Sequence, residues 1–373
     1  MKPLWHGMGL LAALLLSACG GGGDSSLRVR VIDDDIRAGA SVALLASRPG
    51  VWQQAEGPTV SPSNWQQQLL AFDLPAEGDY RFVFLADSGQ QAELQFSASA
   101  EAALLQIRRD RQQPGGSRLS LRASGEGAGG WQWRQLSGTT ATLTSEGALA
   151  FITLPRVEQA ELLEFEASTE INGQQFSDKA AVWVTPTPVI ASGAYFSAPL
   201  VATRAWQGDS PYAAALERCL YSNSLRRSCT LAELPLLAMD GEAPSREQVL
   251  ARLLVSEPWM GEVFARFLDE QDEHGDFRQL LGAVTGIVIS HDLRPSFYWS
   301  ATGAIYLDAD YLWLLPEQRD LINEQPDYRG DYGKELAFDM LWRYTLNNDY
   351  AFSRPLRSAR EPRSMAQLAL PLS

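Results

Sequence analysis

Histidine and cysteine are scarce, with three of each in 373 residues. Basic charge is short as well: 31 Lys and Arg stand against 45 Asp and Glu, a net charge of −14. That sign argues against nucleic acid and anionic lipid headgroups as partners. No stretch reaches the roughly 20 consecutive apolar residues of a membrane-spanning helix, which argues against a polytopic helical membrane protein. There is no Gly-x-Ser-x-Gly elbow, no P-loop and no dinucleotide-binding fingerprint. His274 and His291 lie too far apart in sequence for His-x-x-x-His zinc ligation, and no His-Glu pair occurs. Gly208-Asp209-Ser210 has the letters of a GDS-type esterase nucleophile, but no strand precedes it and no Asp-x-x-His follows. The sequence therefore offers no complete catalytic set, no metal site and no cofactor.

What is present begins with an address. Lys2 precedes a short apolar run from Met8 to Leu16, followed by Ser17-Ala18-Cys19-Gly20. A charged start, an apolar run of this length and small residues before a cleavage point make a signal peptide over 1–18. Leu16-Ser17-Ala18-Cys19 resembles the bacterial lipobox, in which the cysteine becomes the lipidated first residue. The resemblance implies lipidation at Cys19 and, because Gly20 rather than Asp follows, delivery to the outer membrane. Residues 19–26, rich in Gly and Ser, read as a flexible tether. In such a compartment Cys219 and Cys229, with nine residues between them, are expected to form a disulfide.

Three pieces follow. Over 27–100, Leu27–Ile32, Tyr80–Leu85 and Ala92–Phe96 alternate at period two between Pro, Gly and Ser breaks, the pattern of a small β-sandwich. Over 101–186, strands are predicted at 117–122, 131–136, 149–154, 162–167 and 180–184. Here Trp133-Arg-Gln-Leu-Ser-Gly138, Leu154-Pro155, Leu163-Glu-Phe-Glu-Ala167 and Asn172-Gly173 resemble PKD-type immunoglobulin-like repeats of surface proteins. That resemblance implies a spacer or binding unit rather than a catalyst. Trp131 and Trp133 share a strand face, and core packing is the expected role, with stacking on sugar as the competing one.

Thr185-Pro-Thr-Pro188 marks a stiff linker. Beyond it, 187–373 reads as an α+β, mostly helical domain. Helices are expected at 211–221, from the capping box Ser245-Arg-Glu-Gln248 onward with Leu253 and Leu254 on its face, and at 258–269, 277–284, 316–323 and 334–346. Short strands are expected at 286–290 and 304–307. The acidic run 269–276, together with Asp33–Asp35, reads as solvated chain ends or turns rather than calcium loops. Asp308 and Asp310 read as turn residues. Phe297, Tyr298 and Trp299, within the densest aromatic run, either form a binding surface or fill the core.

The strand at 286–290, the crossing loop and Thr302-Gly-Ala-Ile-Tyr-Leu-Asp308 resemble the edge-strand region of zincin-type metallopeptidases. The resemblance implies a peptide-aligning edge strand, but the chain departs from the family in having no His-Glu-x-x-His. The sequence thus supports a lipid-anchored envelope protein, a non-catalytic binder of protein or glycan built on β-sandwich spacers. The alternative is a metallopeptidase-like protein whose zinc helix is missing or lies beyond residue 373.

Overall fold

A computed structural model describes residues 26–33, 36–62, 64–101, 105–107, 111–240, 243–291, 293–325, 345–346, 348–350, 361–365 and 368. The leader, Cys19 and most of the tether lie outside these residues, as does nearly all of the helix expected at 334–346.

The first unit contains β1 (Val29–Val31), β2 (Ser41–Ala46), β3 (Gly50–Glu56), β4 (Leu69–Asp73), β5 (Gly78–Ala86) and β6 (Gln91–Ala98). They form two three-stranded sheets, in the orders β1-β2-β4 and β3-β5-β6. Val42, Leu44, Phe72, Trp52, Tyr80, Phe82, Phe84 and Phe96 close the space between the sheets. In immunoglobulin terms the sheets are A-B-E and C-F-G. Two further hallmarks of that fold are present. Trp52 on the third strand is buried in the core, and the Tyr80 hydroxyl, at the start of β5, donates to the Ala76 carbonyl at 2.7 Å, a tyrosine corner.

The second unit contains β7 (Gln106–Ile107), β8 (Arg111–Pro114), β9 (Arg118–Ser124), β10 (Gly129–Ser137), β11 (Thr142–Glu146), β12 (Leu149–Thr153), β13 (Glu161–Ile171) and β14 (Gln174–Thr185). Its sheets run β7-β9-β12-β11 and β10-β13-β14-β8, with β8 parallel to β14. This is the A-B-E-D and C-F-G arrangement of an immunoglobulin-like sandwich, with β8 as an added strand beside β14. Trp131 and Trp133 pack, partly buried, against its core.

The two sandwiches are copies of one pattern. Trp52-x-Gln54-x-x-Gly57 and Trp133-x-Gln135-x-x-Gly138 stand at the same place in each. The Gln54 amide donates to the carbonyls of Glu56 and Pro58 and accepts from the Val60 N–H. The Gln135 amide donates to Ser137 and Thr139 and accepts from Ala141, the same offsets in each case. One side chain thus satisfies the backbone of a whole turn, which would otherwise lack partners. Gly57 and Gly138 take positive φ (104° and 84°) within these turns, where a Cβ would strike backbone oxygen at 2.6 and 2.8 Å.

The third unit corrects an expectation: it is not mostly helical. Its framework is a five-stranded sheet of β15 (Arg204–Ala205), β16 (Leu253–Val255), β17 (Ile287–Ser290), β18 (Phe297–Trp299) and β19 (Ala304–Asp308), ordered β15-β16-β17-β19-β18. β16, β17 and β19 are parallel, and the two edges are antiparallel. The helices are α1 (Ala213–Cys219), α2 (Arg246–Leu250), α3 (Pro258–Gln271), α4 (Asp276–Leu281) and α5 (Pro316–Arg319). Among the described residues only α3, at 14 residues, is long.

The misreading has a physical cause. The capping box forms as expected, Ser245 and Gln248 each bonding the other's backbone N–H. The helix nonetheless stops at Leu250, and Leu253 and Leu254 belong to β16. Leu253 and Val255 face one apolar layer, with Ile287, Ile289, Met260 and Phe264. Leu254 faces the other, with Val288, Tyr306 and Leu216. A strand buried on both faces is apolar throughout, so its period-two signal vanishes. The strand at 304–308 likewise lies inside the sheet; the edge is β18.

Candidate functional site

Cys219 and Cys229 form the expected disulfide, Cα to Cα 5.4 Å. It closes the loop after α1, on the sheet face lined by aromatic rings. Phe297 and Trp299 point into that layer. Phe297 stacks on Tyr306 at 4.6 Å, and Trp299 meets Tyr195 at 4.8 Å and Phe196 at 5.2 Å. Tyr298, which alternates to the opposite face, is 55% exposed. The aromatic triplet is therefore divided between a packed layer and solvent. Burial also pushes the Tyr306 hydroxyl well above the usual tyrosine range.

The polar side chains gather at the carboxyl ends of the parallel strands and at the seam with the second sandwich. Ser290, His291 and Asp308 end β17 and β19 and are all buried. His291 is 1% exposed; burial, with Arg111 and Arg294 nearby, lowers its pKa to about 3. It is thus neutral at neutral pH, and its Nδ1 has no hydrogen-bond partner. A base so enclosed cannot reach a substrate in solution.

The arginines hold residues 320–325. Arg111 of β8 donates to the carbonyls of Leu321 (2.7 Å) and Asp320 (3.1 Å). Arg122 of β9 takes both carboxylate oxygens of Glu324, each at 2.8 Å. From the other side, Arg294 donates to the carbonyls of Asn323 and Gln325 and lies 3.5 Å from Asp308. Planar guanidinium forks suit such paired oxygens. None of these arginines was singled out from sequence. Nothing local marks Arg111 and Arg122, because their partners lie more than 200 positions away, and the carbonyls that Arg294 meets lie 29 and 31 positions on.

The remaining residues considered for chemistry have structural partners. The Ser210 hydroxyl donates to the Ala251 carbonyl at 2.7 Å. Asp272 caps α4 by accepting from the N–H groups of Phe277 and Arg278, and it pairs with the Arg278 guanidinium at 2.7 Å. Asp308 accepts from the Asp310 N–H, and Asp310 accepts from the Trp313 indole. Asp33 accepts from the Ala43 N–H, while Asp34 and Asp35 lie outside the described residues. Among the described residues no group of three or more His, Cys, Asp and Glu is placed to hold a metal ion. His274 is exposed and His291 enclosed, so the two do not make a zinc ligand set.

No family model and no curated protein matches the chain. Solved structures with some likeness include the titin Ig tandem domains A164–A165, 12% identical over 44% of this chain and 100% of that one, TM-score 0.17. Another is the SGBP-B protein of the Bacteroides ovatus mixed-linkage glucan utilization locus, solved with a heptasaccharide, 14% identical over 44% of this chain and 47% of that one, TM-score 0.17. An endo-fucoidan hydrolase of glycoside hydrolase family 107 is 10% identical over 41% of this chain and 27% of that one, TM-score 0.20. The immunoglobulin-like character of the two sandwiches rests on their own strand order, the buried Trp52 and the tyrosine corner.

Proposed function

We propose that the chain is a lipid-anchored protein of the bacterial outer membrane in which two immunoglobulin-like sandwiches support the α/β unit as a non-catalytic binding module. The observation that carries this reading is the continuity of the three units. The outer face of β2 and β4 (Ala43, Leu45, Leu69, Ala71) packs against Ala181, Leu162 and Trp183 of the second sandwich. The arginine seam joins that sandwich to the third unit. Sandwiches fixed to their neighbours serve better as a rigid support than as independent beads on linkers. The anchor is the testable part: Cys19→Ser should move the protein from the membrane to the soluble fraction. A variant that stays with the membrane would refute the lipidation reading.

A second reading, the metallopeptidase-like one, is favoured by one feature. β18 runs antiparallel at the sheet edge beside parallel neighbours, and an added peptide strand could pair with such an edge. No residue described supplies its metal site. Elemental analysis of the dialysed full chain tests the non-catalytic reading directly, since stoichiometric zinc would displace it.

A further inference from the structure

The second sandwich carries a groove of about 370 Å³ on the outer face of the sheet β10-β13-β14. Its lining includes Gln132, Ser168 and Ser177, which stand opposite one another in register, one on each strand. The next row places Arg134 opposite Glu166, their side chains paired at 2.5 Å. Gln175 adds a second amide. The strand register shifts between Gly129 and Gln132, so a bulge re-aims β10 where the groove begins.

The chemistry of this lining is specific. Gln132, Ser168 and Ser177 form no side-chain hydrogen bond within the described protein, so an amide and two hydroxyls present free donors and acceptors side by side. Among the lining residues the Arg134 guanidinium pairs with the Glu166 carboxylate, and Lys179 of β14 stands opposite Glu166 in the same row. A ligand that drew on Arg134 or Glu166 as a free charge would have to break that pair, whereas an uncharged one bearing adjacent hydroxyls could bond to it and to the free row at once. Amides, hydroxyls and a closed ion pair in a shallow polar trough match the hydroxyl pattern of a sugar ring. They do not match an apolar ligand, which would leave Gln132, Ser168 and Ser177 unpaired. We infer that this groove is a binding subsite for a neutral sugar unit of a glycan. The inference does not depend on the anchor or on the role of the α/β unit.

The test uses the full chain, purified in a detergent without a sugar headgroup and probed on an array of neutral, N-acetylated, uronic-acid and sulfated oligosaccharides. Neutral or N-acetylated sugars should bind, and calorimetry with the strongest of them should give one site. Gln132→Ala, Ser168→Ala and Ser177→Ala should each weaken it roughly fivefold, and the triple variant about a hundredfold. Ser177→Tyr, which fills the groove, should abolish binding while leaving the thermal unfolding profile in place. Binding confined to acidic sugars, no sugar binding at all, or an affinity unchanged in the triple variant and in Ser177→Tyr would each overturn the assignment.

Discussion

The two sandwiches share strand order and the Gln54/Gln135 turn, yet each turns the outer face of its A-B-E sheet to a neighbour of different chemistry. On the first sandwich this face is apolar: Ala43, Leu45, Leu69 and Ala71 alternate with Val42, Leu44, Leu70 and Phe72, which fill the sandwich's own core. On the second, Ser120 and Arg122 occupy the equivalent strand and bind backbone and carboxylate of residues 320–325, with Glu324 donating its N–H to Ser120 at 2.7 Å. One scaffold thus makes a non-directional junction on one side and a directional one on the other. Apolar contact fixes proximity, while paired guanidinium forks fix register. Only the second junction should respond to salt and to loss of a single charge.

Three measurements bear on that contrast. Arg122→Ala takes from Glu324, 9% exposed at its side chain, its two-pronged guanidinium partner and from Asp320 a contact at 3.4 Å, leaving Glu324 the more distant Arg319 at 3.8 Å, and should cost about 4 kcal/mol at the seam. Scattering or limited proteolysis should show the third unit released while both sandwiches stay folded; an unchanged envelope would mean the seam is decorative. Leu69→Ala, at a position 1% exposed, should cost about 3 kcal/mol at the apolar junction. Its effect should be insensitive to salt, and a salt-dependent loss would erase the distinction drawn here.

The smallest step, read between pH 7 and 5, is a pH effect of about 2 kcal/mol. The pKa of His291 is about 3 in the folded chain against an ordinary 6.5, so the unfolded chain binds the extra proton first. Its contribution is complete above pH 6.5 and falls by about 1.4 kcal/mol per pH unit as pH drops toward 3. Protonation would place a third cation beside Arg111 and Arg294. His291→Phe should flatten that part of the stability curve in urea titrations at pH 7, 6 and 5. An identical slope in wild type and variant would contradict the burial argument.

Legibility from sequence followed exposure. Strands with one wet face, such as Tyr80–Leu85 and Leu162–Ala167, alternate visibly and were found. β2 and β4, buried on both faces, carry the apolar runs Val-Ala-Leu-Leu-Ala and Leu-Leu-Ala-Phe and gave no period-two signal. The same blindness turned β16 into a helix face. The internal repeat Trp-x-Gln-x-x-Gly emerged only from the structure, where the amides of Gln54 and Gln135 bond the backbone at matching offsets.

What the sequence alone determined is local: the disulfide partners, the capping box of α2, the turn chemistry and the amphipathic strands. Each depends on residues within a few positions, or on one half-wetted face. Tertiary structure decided the rest: which apolar runs are strands, which side chains of the aromatic triplet are packed, where Arg111, Arg122 and Arg294 converge, and which polar row lies open on the second sandwich. Those depend on chain segments up to 210 positions apart, and no local pattern encodes a partner that only folding brings near.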